Sequence, residues 1–329
     1  MDVHETLKSK CKAVEPVLRE YAKMGDAKIQ EMILHPIEAG GKRLRPCLTL
    51  LSCEAVGGDA KKALPAAASV ELLHTFTLVH DDIMDHDLER RGRPTVHSIW
   101  GEEMGIIVGD TLYSSAFKAL VDMERKNVPP RRVLEAVNAL VEANGELQEG
   151  QIMDMLFEQR GIIGEDEYME MVRKKTGSLI EAAVKIGCIV GGGTKRQLEA
   201  LKVFGSNAGV AFQIKDDILD LVADQKELGK PIGSDIRKGK KTLIVVHALR
   251  TGEREDRDTI LKVLGKRDAS DEDVKSAIET LKKTGSIQYA EQMVCDLIEE
   301  GKKSLDRLPK TNARRTLKAI ADYFVERRK

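Results

Sequence analysis

The sequence predicts an all-α protein, and three observations carry that prediction. Ala, Leu, Ile, Val, Glu and Lys recur at three- and four-residue intervals through most of the 329 residues, the repeat of a helix face. Aromatic residues are only 4% and prolines only 9, while charged residues reach 33%, a balance that suits long solvated helices better than sheet. Strand signals are weak: the most β-branched run, Thr242-Leu243-Ile244-Val245-Val246, passes straight into His247-Ala248-Leu249-Arg250 and reads equally well as a buried helix. Length alone admits one large domain or two ordinary ones, with a substantial core, and no stretch has the composition of a linker.

Residues 1 to about 34 read as an amphipathic helix or two, interrupted near Gly25. The Gly40-Gly41 pair then lets the chain turn tightly before Lys42 and Arg45. Residues 64–88 form a long helix that carries His74 and an acidic cluster. After Gly92-Arg93-Pro94 a loop leads to a helix beginning near Asp110, broken at Asn127-Val128-Pro129-Pro130. Helices follow near 131–159, 166–190, 195–224 and 240–250, punctuated by Gly161, Gly191-Gly192-Gly193 and Gly229-Lys230-Pro231. The remainder reads as charged helical hairpins, with Ser270-Asp271-Glu272-Asp273 as a capping box and Gly285 as a C-cap.

Formal net charge is −1, so no overall field invites nucleic acid or an anionic membrane, and any phosphate binding must rest on local basic clusters. Cys11, Cys47, Cys53, Cys188 and Cys295 are odd in number and lack metal-ligand spacing, which suits free, packing thiols in a reducing cytoplasm. Met1-Asp2-Val3-His4-Glu5 lacks a charged-then-apolar leader pattern. No apolar run approaches the ~20 residues of a membrane span, so a cytoplasmic protein without a stable membrane anchor is expected.

The chemistry is signalled by a repeated acidic pattern, Asp81-Asp82-Ile83-Met84-Asp85 and Asp216-Asp217-Ile218-Leu219-Asp220, each on an otherwise apolar helix. At about 100° per residue, positions i, i+1 and i+4 fall within one arc, so each copy projects three carboxylates from one face. A solvated helix surface would also explain a single copy. Two copies are harder to dismiss, because chance supplies about 0.1 matches in a chain of this length. The preceding residues Leu72-Leu73-His74-Thr75-Phe76-Thr77-Leu78-Val79 and Gly209-Val210-Ala211-Phe212-Gln213-Ile214 are mainly apolar, and like charges in such a setting need counter-cations. Magnesium, which takes oxygen ligands and shares them between carboxylates and substrate phosphates, fits the pattern.

Around these motifs the sequence resembles the trans-isoprenyl diphosphate synthases, which condense an allylic diphosphate with isopentenyl diphosphate. The resemblance rests on Gly40-Gly41-Lys42-Arg43-Leu44-Arg45-Pro46, His74, the first acidic motif with Arg90-Arg91-Gly92-Arg93-Pro94-Thr95, and Gly150-Gln151-Ile152-Met153-Asp154. It continues through Lys175-Thr176-Gly177, Phe212-Gln213 with the second motif, Gly229-Lys230, Asp235 and Lys240, in that order. The uninterrupted first motif looks like the archaeal or eukaryotic type rather than the bacterial farnesyl type. The resemblance implies a single-domain isoprenoid synthase fold over residues 1–329, with long antiparallel helices around a deep central cavity. It also implies a homodimer, and Mg2+ as cofactor, about three ions with substrate bound.

The implied reaction is ionisation, condensation and elimination, with isopentenyl and allylic (dimethylallyl, geranyl or farnesyl) diphosphates as the partners. Magnesium would be held by Asp81 and Asp85 on one wall and by Asp216 and Asp220 on the other. Asp82, Asp217 and Asp235 would be direct, water-mediated or supporting partners. Arg90, Lys175, Lys230 and Lys240 match positions that hold the allylic diphosphate, and Lys42, Arg45, His74 and Arg91 those that hold isopentenyl diphosphate. Thr176 and Gln213, with Lys175, match the positions beside the forming cation, where their oxygens are useful. Gln151 and Asp154 either line the same cavity or make a helix-to-helix hydrogen bond. No side chain stands out as the base, and the resemblance implies that released diphosphate takes the proton.

Phe76 and Thr77 match product-length positions and resemble the archaeal geranylgeranyl pattern, which implies a C20 main product with some C15, or alternatively a farnesyl (C15) synthase. On a helical wheel Thr77 lies beneath Asp81 whereas Phe76 falls off that stripe and also suits plain core. The terminus Arg327-Arg328-Lys329 reads either as a frayed basic end or as a flap over diphosphate. A terpene cyclase would have little use for Lys42, Arg45 and Arg91, and a non-catalytic subunit would be expected to have lost motif residues that this chain keeps.

Overall fold

The computed structural model describes residues 3–222 and 233–327, without the side chain of His4. It is all-α, as the three- and four-residue periodicity predicts. The helices are α1 (Val3–Tyr21), α2 (Ala27–Glu38), α3 (Leu44–Ala55), α4 (Leu64–Met84), α5 (Val96–Trp100), α6 (Glu102–Val121), α7 (Pro130–Gln159), α8 (Glu165–Val172) and α9 (Ser178–Gly191). After them come α10 (Lys195–Val222), α11 (Ser234–Lys238), α12 (Leu243–Thr251), α13 (Arg254–Leu261), α14 (Asp271–Lys283), α15 (Ser286–Ser304) and α16 (Asn312–Glu326). Among the described residues, sheet is confined to β1 (Glu89–Arg90) paired antiparallel with β2 (Arg93–Pro94).

Two compact units emerge, one from Met1–Glu142, Leu179–Lys202 and Leu305–Ala319, the other from Ala143–Ser178, Val203–Ser304 and Ile320–Lys329. Neither is a continuous stretch, so the division is not a boundary in the sequence.

In the first unit α4 is buried on every side over its N-terminal half, from Pro65 to Leu73. A helix apolar all round is a core helix, and α1, α3 and α6 pack on it. The predicted start of α6 near Asp110 is corrected: the helix begins at Glu102, after Gly101 at φ 91°. Gly105 and Gly109 look like breaks in the sequence, but in the fold they are notches. A Cβ at Gly105 would lie 2.7 Å from Ile83 Cδ1, and one at Gly109 would lie 2.2 Å from His80 Nε2. A side chain at either position would have to displace Ile83 or His80.

The predicted helix over 64–88 ends earlier, at Met84, with Asp85 as its C-cap and His86 in the left-handed region at φ 55°. The predicted helix over 166–190 is interrupted by a π-helical turn at Arg173–Gly177. Elsewhere the local signals hold. Asp26 caps α2 and Ser270 accepts the Asp273 N–H at the start of α14. Gly285, at φ 70°, follows α14. Thr242 caps α12, so its β-branched run is a buried helix. The five cysteines are free thiols, and no described helix is long and apolar enough to cross a membrane.

Candidate functional site

In the first unit Asp81 and Asp82 lie in the last turn of α4, and Asp85 caps it. Carboxylates at that end oppose the helix dipole, so cations must compensate them. Asp81 and Asp85 are partly accessible. Asp82 is buried and paired with Arg90 Nε, which the β1–β2 turn folds back onto the helix. Burial pushes the Asp82 carboxyl up, and Arg90 opposes that shift.

The four residues matched to isopentenyl diphosphate also fall in this unit. Arg45 Nη1 lies 3.2 Å from His74 Nε2. A guanidinium can only donate, so Nε2 is the acceptor and His74 is neutral. Burial, followed by the charges of Arg45, Arg91, Arg90 and Arg43, accordingly holds the His74 pKa well below its ordinary value. Arg91, at φ 55°, donates to the Gly40 carbonyl. Its guanidinium lies 2.6 Å, at Nη1, from where a Cβ on Gly41 would sit, and it is the φ of 140° at Gly41 that favours glycine there. Lys42, exposed, follows that pair directly.

Arg43, which sequence reasoning passed over, is not a surface cation. Its Nη1 meets Glu71 Oε1 at 2.8 Å with both side chains nearly inaccessible, and it also bonds Glu15 and the Ile37 carbonyl. Nothing in a Gly-Gly-Lys-Arg-Leu-Arg run tells which cation turns inward.

Phe76 is buried in the α4–α6 contact, edge-on to His80 at 4.7 Å and tilted on Tyr113 at 5.1 Å, with Phe117 4.9 Å beyond Tyr113. Thr77 is partly accessible and donates to the His74 carbonyl at 2.8 Å.

The second unit gathers the remaining described candidates. Lys175 and Thr176 sit in the π turn, a form common at functional sites. Two glycines let neighbouring helices reach it: a Cβ on Gly150 of α7 would lie 2.3 Å from the Lys175 nitrogen, and one on Gly209 of α10 would lie 2.6 Å from the Gly177 Cα. Lys175 Nζ pairs with Asp154 Oδ2 at 2.6 Å, so Asp154 makes the helix-to-helix contact of the two readings above.

Thr176 Oγ1 donates to Gln213 Oε1 at 2.8 Å, and Gln213 Nε2 donates to Asp217 Oδ1 at 2.9 Å. Tyr168, on α8, donates to Asp217 Oδ2 at 2.6 Å. Sequence reasoning missed Tyr168, because a partner 49 residues away leaves no local pattern. Burial, then Asp235, pushes the Asp217 carboxyl up to about 7, against the bonds from Tyr168 and Gln213 and the charge of Lys240.

Asp216 is partly accessible and pairs with Arg327 at 2.7 Å. Arg327 also lies over the Phe212 ring and donates to the Phe212 carbonyl, so it is anchored rather than frayed. Asp220 accepts from Ser234 Oγ at 2.8 Å and from the Asp235 N–H at 3.1 Å, while Asp235 meets Lys240 at 3.3 Å. Lys230, Arg328 and Lys329 lie outside the described residues.

Asp81 and Asp85 in the first unit, and Asp216 and Asp220 in the second, each offer hard carboxylate oxygens, the donor type magnesium prefers. Among the described residues no group of three or more His, Cys, Asp or Glu is arranged to hold a metal alone.

Residues 26–281 match the family described as Polyprenyl synthetase. A geranylgeranyl diphosphate synthase of Methanosarcina mazei is 46% identical, over 88% of this chain and 87% of its own. A geranylfarnesyl diphosphate synthase of Aeropyrum pernix is 42% identical, over 89% and 92%. The crystal structure of geranylgeranyl pyrophosphate synthetase from Pyrococcus horikoshii has a TM-score of 0.93 to this chain at 45% identity, covering 99% of this chain and 98% of that one.

Proposed function

The chain belongs to the polyprenyl synthetase family, and from that premise we propose that it is a short-chain trans-prenyltransferase making geranylgeranyl diphosphate from isopentenyl diphosphate and allylic diphosphates. The observation that carries this reading is the presence of both acidic motifs intact, each beside its own set of cations and polar groups: Arg90, Arg45 and His74 with the first, Lys175, Thr176, Gln213 and Lys240 with the second.

Most of the barrier to ionising an allylic diphosphate is charge separation. Magnesium bound by Asp81 and Asp85, and by Asp216 and Asp220, would supply Lewis-acid neutralisation of the leaving diphosphate. Arg90, Lys175 and Lys240 add fixed positive charge to that diphosphate, and Lys230 joins them on family grounds. Asp82 and Asp217 are spent on Arg90 and on Tyr168 and Gln213, which supports a supporting role for both. Thr176 and Gln213 present oxygens, but no strong nucleophile, to the developing cation. Lys42, Arg45, Arg91 and neutral His74 hold isopentenyl diphosphate through cations and a hydrogen-bonding ring, with no metal needed. Phe76, with Thr77, bounds chain length at about C20. A homodimer, residues 1–329 as one functional domain, and a cytoplasmic site complete the proposal.

The test is product analysis of the purified protein with Mg2+, labelled isopentenyl diphosphate and, in parallel, dimethylallyl, geranyl and farnesyl diphosphates. Predominantly C20 product is the expected result. C15 or C25 alone would keep the chemistry and relocate the floor, while no elongation from any starter would overturn the catalytic reading.

A further inference from the structure

We propose that Tyr168 is a positioning residue for prenyl transfer, acting through Asp217 to hold Gln213 with its carbonyl oxygen toward Thr176. The inference rests on the role given above to Thr176 and Gln213.

Tyr168 is 1% exposed and among the largest fully buried side chains of the protein. A phenylalanine would fill the same core space, so what the tyrosine adds is one hydroxyl. A buried phenolic O–H needs a partner, and this one spends its proton on Asp217 Oδ2 at 2.6 Å. The other carboxylate oxygen accepts from Gln213 Nε2 at 2.9 Å, one turn earlier on α10. The amide of Gln213 is thereby oriented: its NH2 faces Asp217 and its oxygen faces the Thr176 hydroxyl, 2.8 Å away.

The three bonds close a ring. Tyr168 ends one side on α8, Thr176 ends it in the π turn two helical turns later, and both grip α10, at Asp217 and Gln213. Both oxygens of Asp217 accept here, Oδ2 from Tyr168 and Oδ1 from Gln213, so with Oδ2 held by Tyr168 the other oxygen dictates which end of the glutamine amide faces it. Without the phenol the carboxylate can swing, and the amide can flip to put N–H groups where its oxygen stood. Beside a developing carbocation that exchange replaces the negative end of a dipole with the positive end, and such fixed dipoles carry much of the electrostatic stabilisation of a transition state. The effect belongs to the chemical step.

The experiment is a double-mutant cycle of Tyr168→Phe and Gln213→Ala in the full-length enzyme with Mg2+, geranyl diphosphate and labelled isopentenyl diphosphate, reading kcat, both KM values and the melting temperature. Tyr168→Phe keeps the ring and removes one oxygen. It is expected to lower kcat about tenfold or more, with KM for isopentenyl diphosphate within about twofold and a melting temperature close to that of the parent. On the Gln213→Ala background the same substitution is expected to change kcat less than about twofold, because its route has been removed. An unchanged kcat in Tyr168→Phe, or an equal loss on both backgrounds, overturns the inference. Absence of elongation by the parent enzyme would instead overturn the functional reading beneath it.

Discussion

Replacing Glu71 with alanine tests whether Arg43 is a structural cation. The Arg43 side chain is 2% accessible and that of Glu71 4%, with 2.8 Å between Nη1 and Oε1. Removing one partner of a buried pair strands the other charge and typically costs about 3–5 kcal/mol. Arg43 keeps Glu15 and the Ile37 carbonyl, but Glu15 is 37% accessible, and pairs so exposed to water contribute about 0–1 kcal/mol. The loss should therefore sit near the lower end, about 3 kcal/mol, or about 4–5 °C in melting temperature for a chain of this size. Glu15→Ala, the control, should stay within about 2 °C. Arg43 also sits at the N-cap of α3 at φ 46°, two residues before Arg45, while Glu71 lies about one turn before His74 on α4. Slackening that contact should loosen the Arg45–His74 pair and raise KM for isopentenyl diphosphate several-fold. A melting curve and initial-rate kinetics suffice. If Glu71→Ala melts within about 2 °C of the parent, the reasoning about Arg43 fails.

Gly150→Ala places a methyl 2.3 Å from the Lys175 backbone nitrogen, so α7 or the π turn must move. A stability loss of about 1–3 kcal/mol together with reduced turnover is expected, and a variant with unchanged melting and rate would refute the close-approach argument. The pH dependence of the metal-free protein tests Asp217. Its carboxyl keeps a proton to about 7 when folded but only to about 4 when unfolded. The folded chain binds more protons between those values, so stability falls as pH rises through that window, by up to about 4 kcal/mol. Asp217→Asn should lack this component, and identical pH slopes for the two proteins would contradict it. Phe76→Ala removes the ring that lies edge-on to His80 and tilted on Tyr113. It is expected to cost about 3–5 kcal/mol and to lengthen the product beyond C20, whereas an unchanged chain length on product analysis would move the floor elsewhere.

Sequence reasoning reached most of the fold because helix signals are local. Periodicity places α1, α4, α7, α10 and α12, and the cap at Ser270 and the stop at Gly285 follow from side-chain and backbone preferences within one turn. It failed where a residue's meaning lay on a neighbouring helix. Gly105 and Gly109 lie in the interior of α6 beside Ile83 and His80, in a helix that begins at Glu102 rather than near Asp110. The π turn at Arg173–Gly177 has no periodic signature and is visible only in the backbone.

The site divides along the same line. Which residue types could serve such chemistry was legible in the sequence, because carboxylates spaced i, i+1, i+4 share a helix face and the basic blocks stand in a recognisable order. How each is used was not. Asp81 and Asp85 stay partly accessible while Asp82 is buried against Arg90, and Asp217 is occupied by Tyr168 and Gln213. Arg43 is buried beside Arg45, which meets His74. The sequence by itself determined the helical class, the family and the inventory of oxygens and cations, since these follow from residue types and short spacings. Only the tertiary structure decided which charges are paired, which histidine is neutral and which hydroxyl orients Gln213. Those properties depend on burial and on partners tens of residues away, where desolvation and hydrogen-bond geometry, rather than local propensity, set the energy.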